Sequence, residues 1–234
     1  TVARLVELLG VSTETVRRDL EDLENNNMLT RVHGGAVSVK KRYRFEDMDV
    51  RGTSNMELKE QIARKALEYV KDGDTIAIDS GSTASLFAMA LKARNFDSLS
   101  VITYSSEVFS ILSECGNYRI TLLGGEYLPK EKLFYGFLTH EAMQKLYFSK
   151  AFVVPSALSV EDGAHDFIRE TYENQCMLIG HASEVFLLAD STKFETKGDF
   201  KLSDLQPEFT IITDDKLPES VYNMYRDHKL NVVS

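Results

Sequence analysis

The chain has 234 residues, of which 43% are hydrophobic and 10% aromatic, enough apolar material for one large domain or for a small domain and a larger one. This composition excludes disorder of the whole chain, and no apolar run approaches the roughly 18 residues of a membrane helix or resembles a signal peptide. The formal net charge is -9, yet Thr1–Gly52 carries nine Lys/Arg and nine Asp/Glu, so the excess acid lies beyond Gly52. The acidic balance therefore leaves nucleic-acid binding by the N-terminal part open.

Two helices separated by a tight turn are predicted first. In "VARLVELLG" the apolar residues have helical spacing and Gly10 ends the helix, after which Ser12 caps a second helix. The buried face of this second helix is predicted to consist of Val16, Leu20 and Leu23.

A small hairpin is predicted next. "NNN" ends the second helix, and "MLTRVHGGAV" contains two strand-like pieces around His-Gly-Gly. Residues 1–40 are therefore predicted to form a winged helix-turn-helix that lacks its first helix. Because the chain begins with Thr1 rather than Met, we expect the natural N-terminus to be absent.

The second helix is the candidate DNA-reading element. In one interpretation its outward-facing arginines form i, i+4 ion pairs, Arg17–Glu21 and Arg18–Asp22, on an ordinary solvated helix. In the other, the helix N-terminus enters the major groove and the arginines contact phosphates or guanine edges. The preceding turn and the following "RVHGGAVSVKKRYR", with five cations and no acids, favour the second interpretation. The predicted DNA-binding residues are Ser12, Thr13, Thr15, Arg17, Arg18, Arg31 and His33, of which His33 is equally consistent with an exposed turn residue.

The rest of the chain has the pattern of an α/β domain. Residues 41–56 lack periodicity and are predicted to be a linker. "ELKEQIARKALEYV" predicts an amphipathic helix, and apolar runs such as "TIAIDS", "SVITYS", "AFVVPS" and "EVFLLAD" then alternate with helical stretches. Strands of this kind indicate a mainly parallel sheet covered by helices on both faces, here over residues 57–234. Cys115 and Cys176 have no metal-ligand or redox spacing, which predicts reduced core thiols in a cytoplasmic protein.

A turn rich in small residues follows the first predicted strand of this domain. In "TIAIDSGSTASLFAMAL" the residues Gly81, Ser82 and Thr83 let backbone N–H groups converge at a helix N-terminus, and the hydroxyls add donors, which favours a phosphate. The stretch is neither a Walker A loop nor a dinucleotide-binding motif. A tight strand-to-helix turn with a capping serine is the alternative.

The carboxyl ends of the other strands are predicted to complete this site, because ligands of open parallel sheets gather there. The candidates are Asp79, Tyr104, Ser105, Gly124, Gly125, Ser156, Glu170, Asp190 and Lys193. Lys193 would complement a phosphate or a sugar oxygen, unless it is a solvated loop lysine. The acids Asp79, Glu170 and Asp190 would bind sugar hydroxyls, or act as acid/base groups in an enzyme. The two glycines are either a simple turn or a place where a ligand approaches the backbone.

The stretch "VSTETVRRDLEDLENNNMLTRVHGGAV" resembles the DNA-binding signature of the DeoR family of bacterial transcriptional regulators. "IARKALEYVKDGDTIAIDSGST", "LLGGEYLP" and "VFLLADSTKF" resemble that family's sensor domain in the expected order, so the resemblance covers essentially the whole chain. It implies a sensor similar in fold to ribose-5-phosphate isomerase, which binds a phosphorylated sugar and thereby changes operator affinity. It also assigns the phosphate to the turn at 81–83 and supports a ligand role for Lys193.

Two departures from the family pattern concern the site. "VPSALS" stands where many members have Gly-Ala-Asp-Gly-Ile-Asp, so Ser156 and Ser159 replace carboxylates, which argues against catalysis and can alter sugar preference. Tyr104 stands where the family usually has Asn, and a bulkier aromatic would reshape the pocket.

These observations predict a transcriptional regulator, of the repressor type most common in the family, that controls carbohydrate metabolism genes. Its expected partners are double-stranded operator DNA, a phosphorylated sugar effector and further copies of itself in a homodimer or larger homo-oligomer, with no cofactor, metal or membrane. Effector and operator would prefer different arrangements of the sensor domains. The competing classes are a sugar-phosphate isomerase or related transferase, and a sensor that works mainly by protein–protein contact with a vestigial N-terminal domain.

Overall fold

The computed structural model describes residues 1–25, 29–32, 34–38 and 48–234. It divides into two compact units, Thr1–Arg44 and Phe45–Ser234, so the division falls within the predicted linker.

The N-terminal unit contains helix α1 (Val2–Leu9), helix α2 (Thr13–Asn25) and an antiparallel hairpin of strands β1 (Leu29–Val32) and β2 (Gly35–Ser38). Gly10 ends α1 in the left-handed conformation, with φ 64°, and its N–H donates to the Val6 carbonyl at 3.0 Å. The Ser12 hydroxyl caps α2 by accepting from the Thr15 N–H at 3.1 Å. The predicted helix–turn–helix and wing are confirmed.

One member of the predicted apolar face of α2 is not buried. Val16 and Leu20 are 2% and 7% exposed, whereas Leu23 is 36% exposed. Leu8 and Leu9 at the end of α1 are exposed as well. Periodicity places these residues on one side of a helix, but it does not determine whether another element packs there.

The second unit begins with two helices, α3 (Met48–Thr53) and α4 (Met56–Leu67). Helix α3 lies inside the stretch predicted to be a linker, and its six residues are too few for a helical period to stand out in the sequence. The elements that follow, in chain order, are β3 (Thr75–Ile78), α5 (Ser82–Arg94), β4 (Leu99–Thr103), α6 (Ser106–Leu112), β5 (Tyr118–Leu122), β6 (Glu126–Leu128), β7 (Leu133–Tyr135), α7 (Phe137–Met143), β8 (Phe148–Val153), β9 (Ala157–Ser159), β10 (Gly163–Asp166), α8 (Arg169–Gly180), β11 (Ala182–Leu188), a 3-10 turn (Ser191–Lys193), β12 (Phe200–Ser203), β13 (Thr210–Ile212), α9 (Glu219–Asp227) and β14 (Asn231–Val233).

A seven-stranded sheet forms the centre of this unit, with the strand order β14-β13-β11-β8-β3-β4-β5. Every pairing in it is parallel, which confirms the predicted parallel α/β architecture. Strands β12, β10 and β9 form a separate antiparallel sheet, and β6 and β7 form a hairpin.

The sheet has an apolar core on each face. Ile76 and Ile78 of β3 belong to the core that includes Ile62 of α4 and Phe87 of α5. Ala77, between them, belongs to the opposite core, which contains buried apolar residues of α8 and α9. Burial on both faces explains the continuous apolar runs of the strands. In the described residues no helix is long and apolar enough to cross a membrane.

Both cysteines are free thiols. Cys115 and Cys176 are only partly buried, and each lies at the edge of a core rather than inside it. Burial raises the pKa of both thiols.

Candidate functional site

The central crevice of the sheet lies between β3 and β8. From β3 the chain proceeds to β4 and β5 on one side, and from β8 it proceeds to β11, β13 and β14 on the other. Parallel strands whose connections leave in opposite directions open a crevice at their carboxyl ends, where ligands of such sheets bind. Residues 79–81, after β3, and 154–156, after β8, border this crevice.

The Gly81 turn has an unusual backbone conformation. Gly81 precedes α5 with φ 103°, a value that side-chain-bearing residues rarely adopt. Its carbonyl accepts from the Ser85 N–H at 3.0 Å. No side chain of the described residues caps the helix, so the alternative of a capping serine is not what the structure shows. Within the described chain, the N–H groups of Ser82, Thr83 and Ala84 have no acceptor. They form a positive helix end suited to an oxyanion.

Asp79 lies beneath this turn and is fully buried. Its Oδ1 accepts from the Ser80 N–H at 2.6 Å and from the Tyr104 hydroxyl. Its Oδ2 accepts from the Val154 N–H at 2.8 Å and from Gln175 Nε2 at 2.7 Å. The carboxylate thus joins the ends of β3, β4 and β8 to α8, and its oxygens are occupied by protein donors rather than directed at a sugar.

Burial dominates the protonation of this group. Removal from water raises the pKa of Asp79 to about 6, although the hydrogen bonds from Tyr104, Val154, Gln175 and Ser80 oppose the shift. The pKa of Tyr104 lies well above its usual value, because the phenol is buried and adjoins the carboxylate. Tyr104 therefore supports the floor of the site instead of forming a wall of the crevice.

A carboxylate lies beside the segment that the sequence predicts to be neutral. The hairpin of β9 and β10 brings Asp166 to Ser156, whose hydroxyl donates to Asp166 Oδ2 at 3.1 Å. Asp166 Oδ1 accepts from the N–H groups of Phe167 and Ile168 at 2.7 and 2.9 Å, and burial raises its pKa. The segment at 154–159 is itself neutral, but strand pairing places an acid beside it from ten residues further along the chain.

One basic side chain, Arg51, lies at the Gly81 turn, and two others, Lys59 and Lys193, belong to the same group of interacting charges. Arg51 of α3 places Nη1 3.7 Å from the position that a Cβ on Gly81 would occupy. The pKa of the Lys193 ammonium is lowered to about 8, mainly by burial and also by the positive charges of Arg51 and Lys59, while Asp190 and Asp166 oppose the shift. Sequence reasoning identified Lys193 but missed Arg51 and Lys59, which lie in or next to the stretch taken as a linker.

Asp190 positions Lys193. It is buried at the start of the 3-10 turn, where Oδ1 accepts from the Thr192 N–H at 3.0 Å and the backbone carbonyl accepts from the Lys193 N–H at 2.9 Å. Its contacts are with the turn that carries the lysine, so its role here is to hold that turn.

Other predicted residues have structural partners outside the crevice. The Ser105 hydroxyl caps α6 by accepting from the Val108 N–H at 3.3 Å. Glu170, in the first turn of α8, acts electrostatically on Tyr135 and is not joined to the Gly81 turn by any contact among the described residues.

Gly124 and Gly125 follow β5 and differ sharply from each other. A Cβ on Gly125 would collide with Thr139 Oγ1 and the Tyr135 carbonyl oxygen, whereas a Cβ on Gly124 would meet nothing within 4 Å. Gly125 is therefore required for the close approach of β7 and α7 rather than for a ligand.

Substitution at these two glycines tests that assignment. Gly125→Ala is expected to lower the free energy of unfolding by about 1–3 kcal/mol, because backbone atoms must move to admit the methyl group. Gly124→Ala is the matched control and should remain within about 0.5 kcal/mol of the wild type. Urea unfolding followed by circular dichroism measures both, and equal effects of the two substitutions would contradict the packing assignment.

In the N-terminal unit both candidate DNA-reading arginines are exposed. Across the described parts of that unit neither Arg17 nor Arg18 forms an ion pair, so the i, i+4 pairs of the alternative interpretation are not present. Glu21 lies 3.8 Å from Arg31 Nη1 instead, and the Arg31 N–H donates to Glu24 at 2.9 Å. Arg31 thus attaches the hairpin to α2.

The remaining DNA-binding candidates lie at the start of α2. The hydroxyls of Ser12 and Thr15 are hydrogen-bonded to each other at 2.8 Å, and Thr13 is exposed. His33 lies outside the described residues.

Comparison with known families now decides the class of the protein. Residues 1–42 match the DeoR-like helix-turn-helix domain, and residues 54–215 match the DeoR C-terminal sensor domain. The chain belongs to the DeoR family. The DNA-binding transcriptional regulator with a sensor domain, predicted from the sequence, is thereby confirmed.

Curated DeoR-family relatives resemble the chain along most of its length. It is 37% identical over 218 residues to the lactose phosphotransferase system repressor of Lactococcus lactis subsp. lactis, covering 93% of this chain and 85% of that protein. It is 38% identical to the repressor of the same name from Streptococcus mutans, covering 91% and 84%. The HTH-type transcriptional regulator GolR of Listeria innocua is 30% identical, with 99% of this chain and 91% of that protein covered.

Solved structures resemble the sensor unit more distantly. The ribose 5-phosphate isomerase A of Methanocaldococcus jannaschii matches with a TM-score of 0.46 and 19% identity, over 62% of this chain and 56% of that one.

Proposed function

We propose that the sensor unit of this DeoR-family regulator binds a phosphorylated sugar in the crevice between β3 and β8. The proposal depends chiefly on the open N–H groups of α5 at the Gly81 turn and on Arg51, whose Nη1 lies beside that turn. Lys193 lies within electrostatic range of Arg51 and adds a further positive charge. A phosphate carries up to two negative charges and several acceptor oxygens, which suits such a set of donors.

The genes that it controls are proposed to serve carbohydrate metabolism, with the protein acting as a repressor. The relatives from Lactococcus lactis and Streptococcus mutans are named as repressors of a lactose phosphotransferase system, and such a system by its name transfers phosphate to sugar. The effector and the operator are proposed to favour different arrangements of a homo-oligomer, so that each alters the affinity for the other by the same factor.

A thermal-shift panel tests the effector class. Ribose 5-phosphate, fructose 6-phosphate, glucose 6-phosphate and galactose 6-phosphate are compared with the same sugars without phosphate. Stabilisation is expected only from phosphorylated members. It is expected to disappear in Thr83→Val, which removes a hydroxyl at the turn, and in Lys193→Ala.

Two variants serve as controls for this panel. Thr83→Ser keeps the hydroxyl, and Lys201→Ala removes an exposed lysine paired with Asp204. Both should respond as the wild type does. Equal stabilisation by the unphosphorylated sugars would show that the site does not recognise phosphate.

We further propose that the sugar phosphate is bound without turnover. The carboxylates of Asp79 and Asp166 each accept three or more hydrogen bonds from the protein itself, which leaves them poorly placed to exchange protons with a sugar. Steady-state conversion of ribose 5-phosphate, followed by a coupled assay, would instead establish an isomerase.

Because Lys193 loses its charge at high pH, the affinity for the effector is expected to fall in alkaline solution. With a pKa of about 8, this group is protonated below pH 8 and loses its charge as the pH rises. A bound phosphate stabilises the protonated form, so binding takes up a proton above pH 8 and the affinity should fall by up to about tenfold per pH unit. Calorimetry between pH 7 and 9.5 measures the slope. Lys193→Arg, whose charge persists, should bind with little change over this range, and a slope equal to that of the wild type would contradict the assignment to Lys193.

A further inference from the structure

Arg51 connects the Gly81 turn to the hairpin of β6 and β7. Its Nη2 is paired with Glu131, which lies in the hairpin turn, and the two side chains are only 15% and 6% exposed. Its Nη1 lies at the Gly81 turn, next to the position where a Cβ would stand. One guanidinium therefore adjoins both a buried carboxylate and the proposed phosphate position.

Glu131 is held firmly in its place. Its N–H donates to the Leu128 carbonyl at 3.2 Å, and the neighbouring Lys132 carbonyl accepts from the Ser106 N–H at 2.9 Å. The Phe134 N–H donates to the Tyr104 carbonyl at 2.8 Å, which attaches β7 to the end of β4. Since the carboxylate cannot easily follow the arginine, a change of partner requires the guanidinium to turn. Its planar fork of five donors can pair with a carboxylate or with a phosphate.

Helix α3 carries Arg51, and Lys59 of α4 holds the end of this helix. The Lys59 ammonium donates to the Arg51 carbonyl at 2.5 Å and to the Ser54 carbonyl at 2.7 Å. A cavity of about 220 Å³ lies between α3 and α5, lined among others by Met48, Gly52 and Ser82. The cavity leaves room for α3 to shift toward α5 about the point that Lys59 holds.

In the sequence, α3 is the first described element after residues 39–47, through which the chain passes from the DNA-binding unit to the sensor unit. Helix α3 is therefore covalently connected to the DNA-binding unit through this stretch.

We infer that Arg51 is an effector-binding residue whose guanidinium exchanges Glu131 for the phosphate of the bound sugar, and that the accompanying shift of α3 carries the signal toward the DNA-binding unit. This inference rests on the proposed function, because it assigns a regulatory contact within the same site. Pairing of Arg51 with Glu131 and pairing with the phosphate define two arrangements of α3, and the effector and the operator each favour one of them.

Removing the charges of Arg51 and Glu131 tests whether Arg51 binds the effector. The double variant Arg51→Gln/Glu131→Gln removes both charges, so neither is left buried alone, and circular dichroism checks its fold. It is expected to bind inorganic phosphate, and the panel sugar phosphate that stabilises the wild type most, about 10- to 100-fold more weakly, because a charge-assisted contact is lost. Glu131→Gln alone should bind the same two probes about 3- to 10-fold more tightly, because the competing carboxylate is neutral.

Measurements of DNA affinity test whether the signal of effector binding reaches the DNA-binding unit. A duplex selected by the full chain from a random pool is titrated by fluorescence anisotropy, with and without the saturating sugar phosphate. Without any ligand, Glu131→Gln should change DNA affinity in the same direction as the sugar phosphate changes that of the wild type. The control Lys92→Gln/Glu114→Gln, which removes an exposed ion pair, should match the wild type in all titrations.

The outcomes separate this inference from the proposed function. If no panel sugar phosphate stabilises the wild type, the proposed function fails. If one does and the double variant binds it with wild-type affinity, the role of Arg51 is wrong while the proposed function stands. An unchanged or opposite DNA affinity of Glu131→Gln would overturn the transmission through α3.

Discussion

Replacing Asp79 by alanine is expected to lower the free energy of unfolding by about 3–5 kcal/mol, because several buried neutral donors lose their shared acceptor at once. The substitution leaves the Tyr104 hydroxyl and the Val154 N–H without their acceptor at the fully buried Asp79 position. Gln175 Nε2 loses one of its two acceptors and keeps the Val154 carbonyl at 3.1 Å. Each orphaned donor costs about 1–3 kcal/mol, and the smaller side chain adds a cavity. Urea unfolding monitored by circular dichroism measures the loss.

Two further substitutions test whether the lost hydrogen bonds cause the destabilisation of Asp79→Ala. Asp204→Ala removes an exposed aspartate and should change the free energy of unfolding by about 0.5 kcal/mol or less. Tyr104→Phe keeps the ring and removes one donor, so its effect should be smaller than that of Asp79→Ala. If Asp79→Ala unfolds at the same urea concentration as the wild type, the network does not support the site.

The raised pKa of Asp79 makes the stability difference between the wild type and Asp79→Ala depend on pH. Because the pKa of Asp79 is raised in the folded state to about 6 from 3.8, the folded protein binds more protons than the unfolded chain between these values. The stabilisation from protonating Asp79 is fully present below about pH 4 and is lost as the pH rises through 6. The difference between the wild type and Asp79→Ala should therefore widen as the pH falls from 7 to 5, and a difference that narrows would contradict the raised pKa.

The double substitution Arg17→Ala/Arg18→Ala is expected to weaken operator binding by about 100-fold at low salt. Both side chains are exposed on α2 and form no ion pair in the described parts of the N-terminal unit, so they are available to phosphates or base edges. If both contact phosphates, the slope of log affinity against log salt should decrease in magnitude by about 1.8, because each contact releases about 0.9 of a counterion. Anisotropy titrations at several salt concentrations, with the selected duplex, measure both quantities.

A charge-matched control lies in the sensor unit. Arg64→Ala/Arg169→Ala removes two exposed arginines from i, i+4 ion pairs and changes the net charge by the same amount. Its DNA affinity should stay close to that of the wild type. If both double variants lose the same affinity, the effect is one of overall charge, and α2 is not the reading helix.

Local sequence patterns were sufficient for the helices of the N-terminal unit and for the order of apolar strands in the sensor unit. Gly10 and Ser12 end and begin their helices through contacts within a few residues, so their roles can be read from the chain itself. The Gly81 turn belongs to the same class, since one strand and one helix define it. Lys193 was likewise identified from a short motif at a strand end.

Other features depend on residues that are far apart in the sequence. Leu23 has the spacing of a core residue but is exposed, because burial requires a neighbouring element. Asp166 reaches Ser156 only through the pairing of β9 with β10. Gly125 resembled a ligand contact until the position of Thr139 showed a packing requirement.

By itself the sequence determined the helix-turn-helix, the parallel strands and the strand-to-helix turn at Gly81, because each of these arises from residues close together in the chain. The class of the protein followed from motifs that resemble one family along the whole chain. Only the tertiary structure placed Asp79 under the turn with donors from three other segments, and Arg51 between Gly81 and Glu131. Buried polar groups need hydrogen-bond or charged partners, and the fold supplies these from segments far apart in the chain. No short stretch of sequence shows which of these segments will meet.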